Sequence, residues 1–165
     1  ITCRVCNLDG DWQDVRALGP FDAIAAVEVI EHLENPRDFL RKIVGLASAR
    51  SMDLVVTTPN PLDTFSSITV FTRGTFNWFS PAHYSGGGHI SILPFWLIDK
   101  HLQYLGQSTC EWSFHSPFRH RSAAGRLAYA GIGAVRRLAS KGGSQRHFDG
   151  ETAVGVVRLA AAAGR

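Results

Sequence analysis

The chain predicts an α/β protein with a doubly wound, mostly parallel sheet, and three consecutive stretches carry that expectation. Phe21 to Val27 is a near-continuous apolar run of strand length, the form taken by a parallel strand covered on both faces. Asn35-Pro36 then opens an amphipathic segment in which Phe39, Leu40, Ile43, Val44, Leu46 and Ala47 share one face, predicting a helix to about Ala49. Met52 to Thr58 is a second apolar run, closed by Thr58-Pro59-Asn60-Pro61. Strand, helix, strand at this spacing is a βαβ unit, whose crossover is right-handed.

The remaining elements follow from local chemistry. Ile1 to Leu8 reads as a strand ended by the turn Asp9-Gly10-Asp11, and Trp12 to Pro20 as a polar connector. Such a strand at Ile1, with no lead-in, implies a sequence that starts inside a domain. Asn35 is an N-cap, Pro36 suits the first helical position, and Asp38 favours the helix dipole. Leu62 to Arg73 is predicted helical. Gly74 to Gly88 reads as a long aromatic loop of the kind that forms lids, ending in His89-Ile90. Pro94 to Leu105 is a helix with Phe95, Leu97, Ile98, Leu102 and Leu105 inward, stopped by Gly106. Ser108 to Phe114 alternates like a strand, Arg121 to Ala139 is a glycine-interrupted helix, and Ala153 to Leu159 is the last strand. Ser140 to Gly150 is the one stretch expected to be flexible, and no internal repeat is present.

With 165 residues the chain suffices for one domain with a sizeable core, and its formal charge of +3 is mild. The charge is unevenly placed. From His115 onward Arg119, Arg121, Arg126, Arg136, Arg137, Lys141, Arg146, Arg158 and Arg165 face only Asp149 and Glu151, which marks either a solvated basic face or a surface for anionic partners. Cys3, Cys6 and Cys110 form no disulfide framework, which fits a reducing, cytoplasmic setting. Cys3-x-x-Cys6 lacks a second ligand pair for zinc. No apolar run approaches a membrane span, and no membrane partner is expected.

Chemistry concentrates just beyond Val27. If the chain turns helically there, Glu28, Glu31 and His32 stand at i, i+3 and i+4, two carboxylates and an imidazole on one face. Acids held that close repel unless a proton, a basic side chain or a cation lies between them. The plainer reading is that Glu31 and Glu34 are solvated and His32 packs at a helix start. A polar cluster after an apolar strand is the layout of a site at the carboxyl edge of a parallel sheet.

The order FDAIAAVEVIEHLENPRDFLRKI, a strand ending in TPN, GGGHIS and a helix ending in LGQ is similar to the class I S-adenosylmethionine-dependent methyltransferases, from roughly Ile1 to Leu159. The resemblance implies a seven-stranded Rossmann-like sheet with an antiparallel last strand, of which this chain carries the later part. Ile1 to Leu8 would then be the third strand, and Ser108 to Phe114 with Ala153 to Leu159 the final hairpin. The family's glycine-rich loop and acidic ribose contact, which belong to the first two strands, have no counterpart here; Gly131-Ile-Gly133 and Gly86-Gly87-Gly88 lie in the wrong contexts. The expectation is a single partial methyltransferase domain, with residues 1–60 the βαβ core, 61–106 a lid and substrate region, and 107–165 the terminal hairpin and basic helix.

Carried over position by position, the resemblance implies that Asn7, Leu8 and Asp9 lie near the adenine of S-adenosylmethionine and that Val27 and Glu28 flank its sulfonium. A narrower likeness, to small-RNA 2′-O-methyltransferases and ubiquinone-pathway O-methyltransferases, implies that Glu28, Glu31, His32 and His89 hold a divalent cation, Mg²⁺, Mn²⁺ or Zn²⁺. The alternative makes His32 a general base and His89 a loop residue of a metal-free site. Phe71, Phe76, Trp78, Phe79 and Tyr84 would wall the acceptor pocket. The expected activity is O-methylation of a small-molecule acceptor; RNA 2′-O-methylation and a non-catalytic methyltransferase-like module are the competing readings.

Overall fold

The computed structural model describes residues 3–47, 50–115, 123–139 and 150–161. Its centre is a four-stranded sheet of β1 (Ala23–Val27), β2 (Met52–Pro59), β3 (Glu111–His115) and β4 (Thr152–Leu159), in the spatial order β1-β2-β4-β3. β1 and β2 are parallel, and β4 runs antiparallel to both of its neighbours. The α/β class and the antiparallel last strand are therefore as expected. The last two strands pair, but α6 (Ala123–Ala139) lies between them in sequence and β4 sits between β2 and β3.

Alternation along β2 buries Met52, Leu54, Val56 and Thr58 on one face. Against that face pack Leu40 and Ile43 of α2 (Pro36–Leu46) and Ile98 and Leu102 of α5 (Phe95–Tyr104), all fully buried. Each such side chain contributes about 1.5–3 kcal/mol by leaving water. Helix α2 begins where its sequence predicts: the Asn35 side chain accepts from the Asp38 amide at 3.0 Å, and Pro36 follows. Its end at Leu46 falls a little short of Ala49. Asp99 of α5 anchors β3 by accepting from the Cys110 amide at 2.9 Å and from Trp112 Nε1 at 3.0 Å. Opposite Trp112 stands Gly155, where a Cβ would lie 2.8 Å from the indole ring, so this register admits only glycine.

Four expectations need correction. Cys3 to Leu8 forms no strand, and Val5 is fully exposed; a strand requires a hydrogen-bonding neighbour, and the sheet offers this segment none. For the same reason β1 is an edge strand instead of a central one. Its apolar side borders a hollow of about 320 Å³ lined by Trp12, Val15, Leu18, Phe21, Ile24 and Phe39. The polar connector contains a short helix, α1 (Gln13–Ala17), held by buried Trp12, whose ring meets Phe39 edge-on at 5.4 Å. Within the aromatic loop Ser80-Pro81 opens another short helix, α4 (Pro81–Gly87), which Gly88 ends at φ 70°. The stretch expected to be flexible lies outside the described residues except for Gly150, which is buried and accepts from Asn60 Nδ2 at 2.8 Å.

Candidate active site

The site forms where β1 ends. The register that pairs Val27 with Thr57 sets the next residue, Glu28, beside Thr57. The Glu28 amide donates to the Thr57 carbonyl and to Thr57 Oγ1, and that hydroxyl donates to Glu28 Oε1 at 2.9 Å. These bonds hold Glu28 at φ 50°, a conformation that is costly for a residue with a Cβ and that clusters at functional sites. The chain then makes a single 3-10 turn, Ile30–His32, instead of an α-helix. The predicted i, i+3, i+4 face is thereby broken, because the left-handed residue redirects the chain before the helical turn begins.

A distant segment rebuilds the cluster in another way. The Glu31 carbonyl accepts from the amides of Ile90 and Ser91, both at 2.9 Å, and Ser91 Oγ donates to the Leu33 carbonyl at 2.6 Å. This zipper carries His89 to His32, with ring centroids 4.8 Å apart. Glu31, His32 and His89 each offer one ligand atom, all within 4.8 Å of one another. Three of the four predicted metal ligands are thus together. Glu28 stands outside that group, yet near enough that its charge acts on Glu31 and His89.

Both imidazoles are oriented by backbone carbonyls. His32 Nδ1 lies 3.1 Å from the Gly88 oxygen and His89 Nδ1 lies 2.8 Å from the Trp78 oxygen. A carbonyl only accepts, so each Nδ1 carries the proton and each neutral ring keeps the lone pair of Nε2. Burial holds the His89 pKa below its ordinary value, and His32 and His83 push the same way, against its Trp78 bond and Glu28. Trp78 itself adopts φ 69°, which with Glu28 makes two left-handed residues bearing side chains among the described residues, and it supplies the oxygen that aims His89.

Glu31 is fully buried, and neither carboxylate oxygen has a hydrogen-bond partner among the described residues. Burial pushes its carboxyl up to about 7; the Glu28 charge adds to this, while its own amide and the Thr58 hydroxyl oppose it. A buried acid whose donors are too poorly placed to offset its burial favours a proton or a cation. The two Nε2 atoms and this carboxylate are a donor set suited to a divalent transition metal, with the carbonyl-fixed tautomers that such ligands show.

Beside the cluster opens a pocket of about 370 Å³, lined by Glu28, Pro59, Trp78, His83, His89 and Glu151, among others. Of the aromatic residues predicted to wall it, Trp78 does so and Phe79 meets the His89 ring at 5.7 Å. Phe71 instead points into solvent from α3 (Thr64–Arg73), and Tyr84 is largely exposed. Sequence reasoning missed His83, which Ser80 Oγ holds at 2.8 Å, and Glu151, whose Oε1 is buried without a partner. The signal for His83 lay in Ser80-Pro81, a helix start three residues before it. Glu151 had none, since only the tertiary insertion of β4 brings it here.

The residues expected near the adenine lie at the start of α2. Asn7 and Gly10 close a turn, and Lys42 reaches the carbonyls of Asp9 and Gly10 at 3.2 and 2.6 Å. The Asp9 carboxylate accepts from the amides of Glu34 and Asn35, both at 3.2 Å, which fixes the loop that follows the His32 turn. Leu8 accepts from Trp12 Nε1 at 3.0 Å. Val27, at the strand end, is more than half exposed. Cys3 and Cys6 are free thiols.

No family model and no curated protein matches this chain. Among solved structures the chain is similar to a SAM-dependent methyltransferase from Archaeoglobus fulgidus, with a TM-score of 0.54 and 17% sequence identity. The likeness covers 90% of this chain and 65% of that one, so the chain spans about 65% of the length of the protein it matches. Sheet order, the antiparallel β4 and this likeness together give the chain an α/β Rossmann-like fold similar to that of this methyltransferase.

Proposed function

We propose that this chain forms the acceptor side of an S-adenosylmethionine-dependent methyltransferase that methylates an oxygen of a small molecule. The observation that carries the reading is the juxtaposition, at the carboxyl edge of a methyltransferase-like sheet, of an orphaned buried Glu31, two Nε2 lone pairs and a pocket of about 370 Å³. S-adenosylmethionine supplies the electrophilic methyl group, and Val27 and Glu28, where β1 ends, would border it; Asn7 and Leu8 would lie toward its adenine. The Asp9 carboxylate is already engaged by two backbone amides, so its part is to hold the loop.

Glu31, His32 and His89 would hold a divalent cation, which when bound supplies a Lewis acid that lowers the pKa of an acceptor hydroxyl. The chain's own contribution is orientation and exclusion of water. Trp78 and Phe79 shield the His89 side of the pocket, while Glu28 and Glu151 present acceptors to further hydroxyl groups on the substrate. Neutral His89 keeps its lone pair at neutral pH because burial resists its protonation.

The test is methyl transfer from isotope-labelled S-adenosylmethionine to catechol and sugar acceptors by the full-length protein, with Mg²⁺, Mn²⁺ or Zn²⁺ and after chelation. Turnover that falls with chelation and with Glu31→Gln is expected. Turnover indifferent to both would remove the cation, and absence of S-adenosylhomocysteine binding by calorimetry would remove the methyltransferase reading itself.

A further inference from the structure

One wall of the pocket is built by a segment that contributes nothing to the core. No residue from Val70 to Ile92 is buried, α4 included. The backbone bonds inside this stretch are local: the amides of Phe79, Tyr84 and Gly88 donate to the carbonyls of Phe76, Ser80 and Tyr84 at 3.2, 3.0 and 3.2 Å. Gly74 and Gly88, at φ 72° and 70°, bracket it. A segment with few buried apolar contacts and solvent-exposed backbone bonds lies at the low end of local stability, so whatever fixes it must act at a few points.

Those points are the two imidazoles of the site. Among the described residues, every hydrogen bond that leaves residues 75–88 ends on His32 or His89. His89 Nδ1 donates to the Trp78 carbonyl at 2.8 Å, and His32 Nδ1 donates to the Gly88 carbonyl at 3.1 Å. The Phe79 ring also meets His89, at 5.7 Å. His89 is in turn seated on the core side, because the amides of Ile90 and Ser91 that follow it donate to the Glu31 carbonyl. The same two rings supply, with Glu31, three ligand atoms within 4.8 Å of one another. Each histidine therefore faces the candidate cation with one nitrogen and holds the segment with the other.

A histidine that ligates a metal through Nε2 has its tautomer and ring orientation fixed, and its Nδ1–H becomes a stronger donor to the carbonyl it faces. Tighter bonds to Trp78 and Gly88 then accompany ligation, and by linkage an ordered segment raises cation affinity in return. We propose that cation binding at Glu31, His32 and His89 orders residues 75–88 and thereby completes the acceptor pocket, which takes Trp78, His83 and Gly87 from this segment. The inference rests on the cation reading given above and adds an order of events, cation first and acceptor second. Trp78 is the pivot: its carbonyl aims His89 while its side chain lines the pocket, at a φ that is costly for a residue with a Cβ.

Hydrogen–deuterium exchange of the full-length protein, read by mass spectrometry with Mn²⁺ and again with a chelator, tests it. Amides of residues 76–88 should exchange about tenfold or more slowly with Mn²⁺, while those of α5 stay as they were. Glu31→Gln at the same Mn²⁺ concentration should lose the slowing. Calorimetric titration of Mn²⁺ in parallel separates this inference from the reading it rests on. Mn²⁺ that binds without slowing exchange in residues 76–88 overturns the ordering and leaves the cation site standing. Absence of Mn²⁺ binding removes the site and the ordering with it. Slowing that persists in Glu31→Gln without Mn²⁺ binding also overturns the proposal, since it would not pass through these ligands.

Discussion

Both parallel strands of this sheet run into loops that bury a carboxylate, and the two acids are treated differently. After β2, Asp63 is fully buried and caps α3, its Oδ1 accepting from the amides of Phe65 and Ser66 at 2.6 and 3.0 Å. Burial raises its pKa and those bonds oppose the rise. After β1, Glu31 is equally buried but makes no well-formed hydrogen bond, its own amide and the Thr58 hydroxyl only partly stabilising its charge. The first is explained by the helix it starts. The second begins no helix, and what lies around it is its own amide, the Thr58 hydroxyl, the Glu28 carboxyl and His32 Nε2 at 3.9 Å.

The sharpest way to break this comparison is to neutralise each acid in turn. Glu31→Gln should lower Mn²⁺ affinity by about a hundredfold, since it removes the only anionic ligand of the three. Asp63→Asn should leave Mn²⁺ binding unchanged, and calorimetric titration of both variants reads the difference. Equal losses would place the two acids in one structural class.

The pH dependence extends the contrast. Glu31 titrates near 7 in the folded chain, against an ordinary value of 4.5. Between those values the folded state binds more protons than the unfolded, so this group lowers stability as pH rises from about 4.5 to 7. In metal-free protein Glu31→Gln should therefore be nearly neutral at pH 4 and stabilising by about 2–3 kcal/mol at pH 8 in urea titrations. Cation affinity of the parent should weaken as pH falls below about 7, because the proton and the metal compete for the same oxygens. A Glu31→Gln stability gain that did not change with pH would mean the carboxylate is partnered after all.

Smaller effects separate capping from zippering. Asp63→Ala should cost about 1–2 kcal/mol through loss of the cap, and Asp63→Asn much less, by thermal or urea unfolding. Ser91→Ala removes the bond to Leu33 and should cost about 1 kcal/mol. It should also weaken Mn²⁺ binding modestly by loosening the segment that carries His89. An unchanged metal affinity in that variant would show that the remaining amide bonds to Glu31 suffice to hold the two histidines together.

Local chemistry was legible in the sequence wherever one element determines its own form. Asn35-Pro36 starts α2, Gly106 ends α5 at φ 76°, and the apolar periods of β2 and α5 match their burial. Elements that depend on neighbours were not. Cys3 to Leu8 has the composition of a strand and no ladder to join, and Phe21 to Val27 has the composition of a central strand at what is the sheet's edge. At the site, Glu31 and His32 stood out by adjacency alone. The union with His89 came through the family likeness, because it depends on backbone bonds across more than fifty residues of sequence. The closeness of Glu28 to Glu31 is as the spacing implies, but the chain achieves it with a positive φ at Glu28 and a 3-10 turn instead of a continuous helix.

The insertion of β4 between β2 and β3 has a consequence for how the sheet is assembled. The two strands have no ladder with each other and are joined only through β4, which pairs antiparallel with both. The pocket wall formed by Glu151 and Thr152 therefore depends on some of the longest-range pairings in the chain, contacts whose closure costs the most chain entropy.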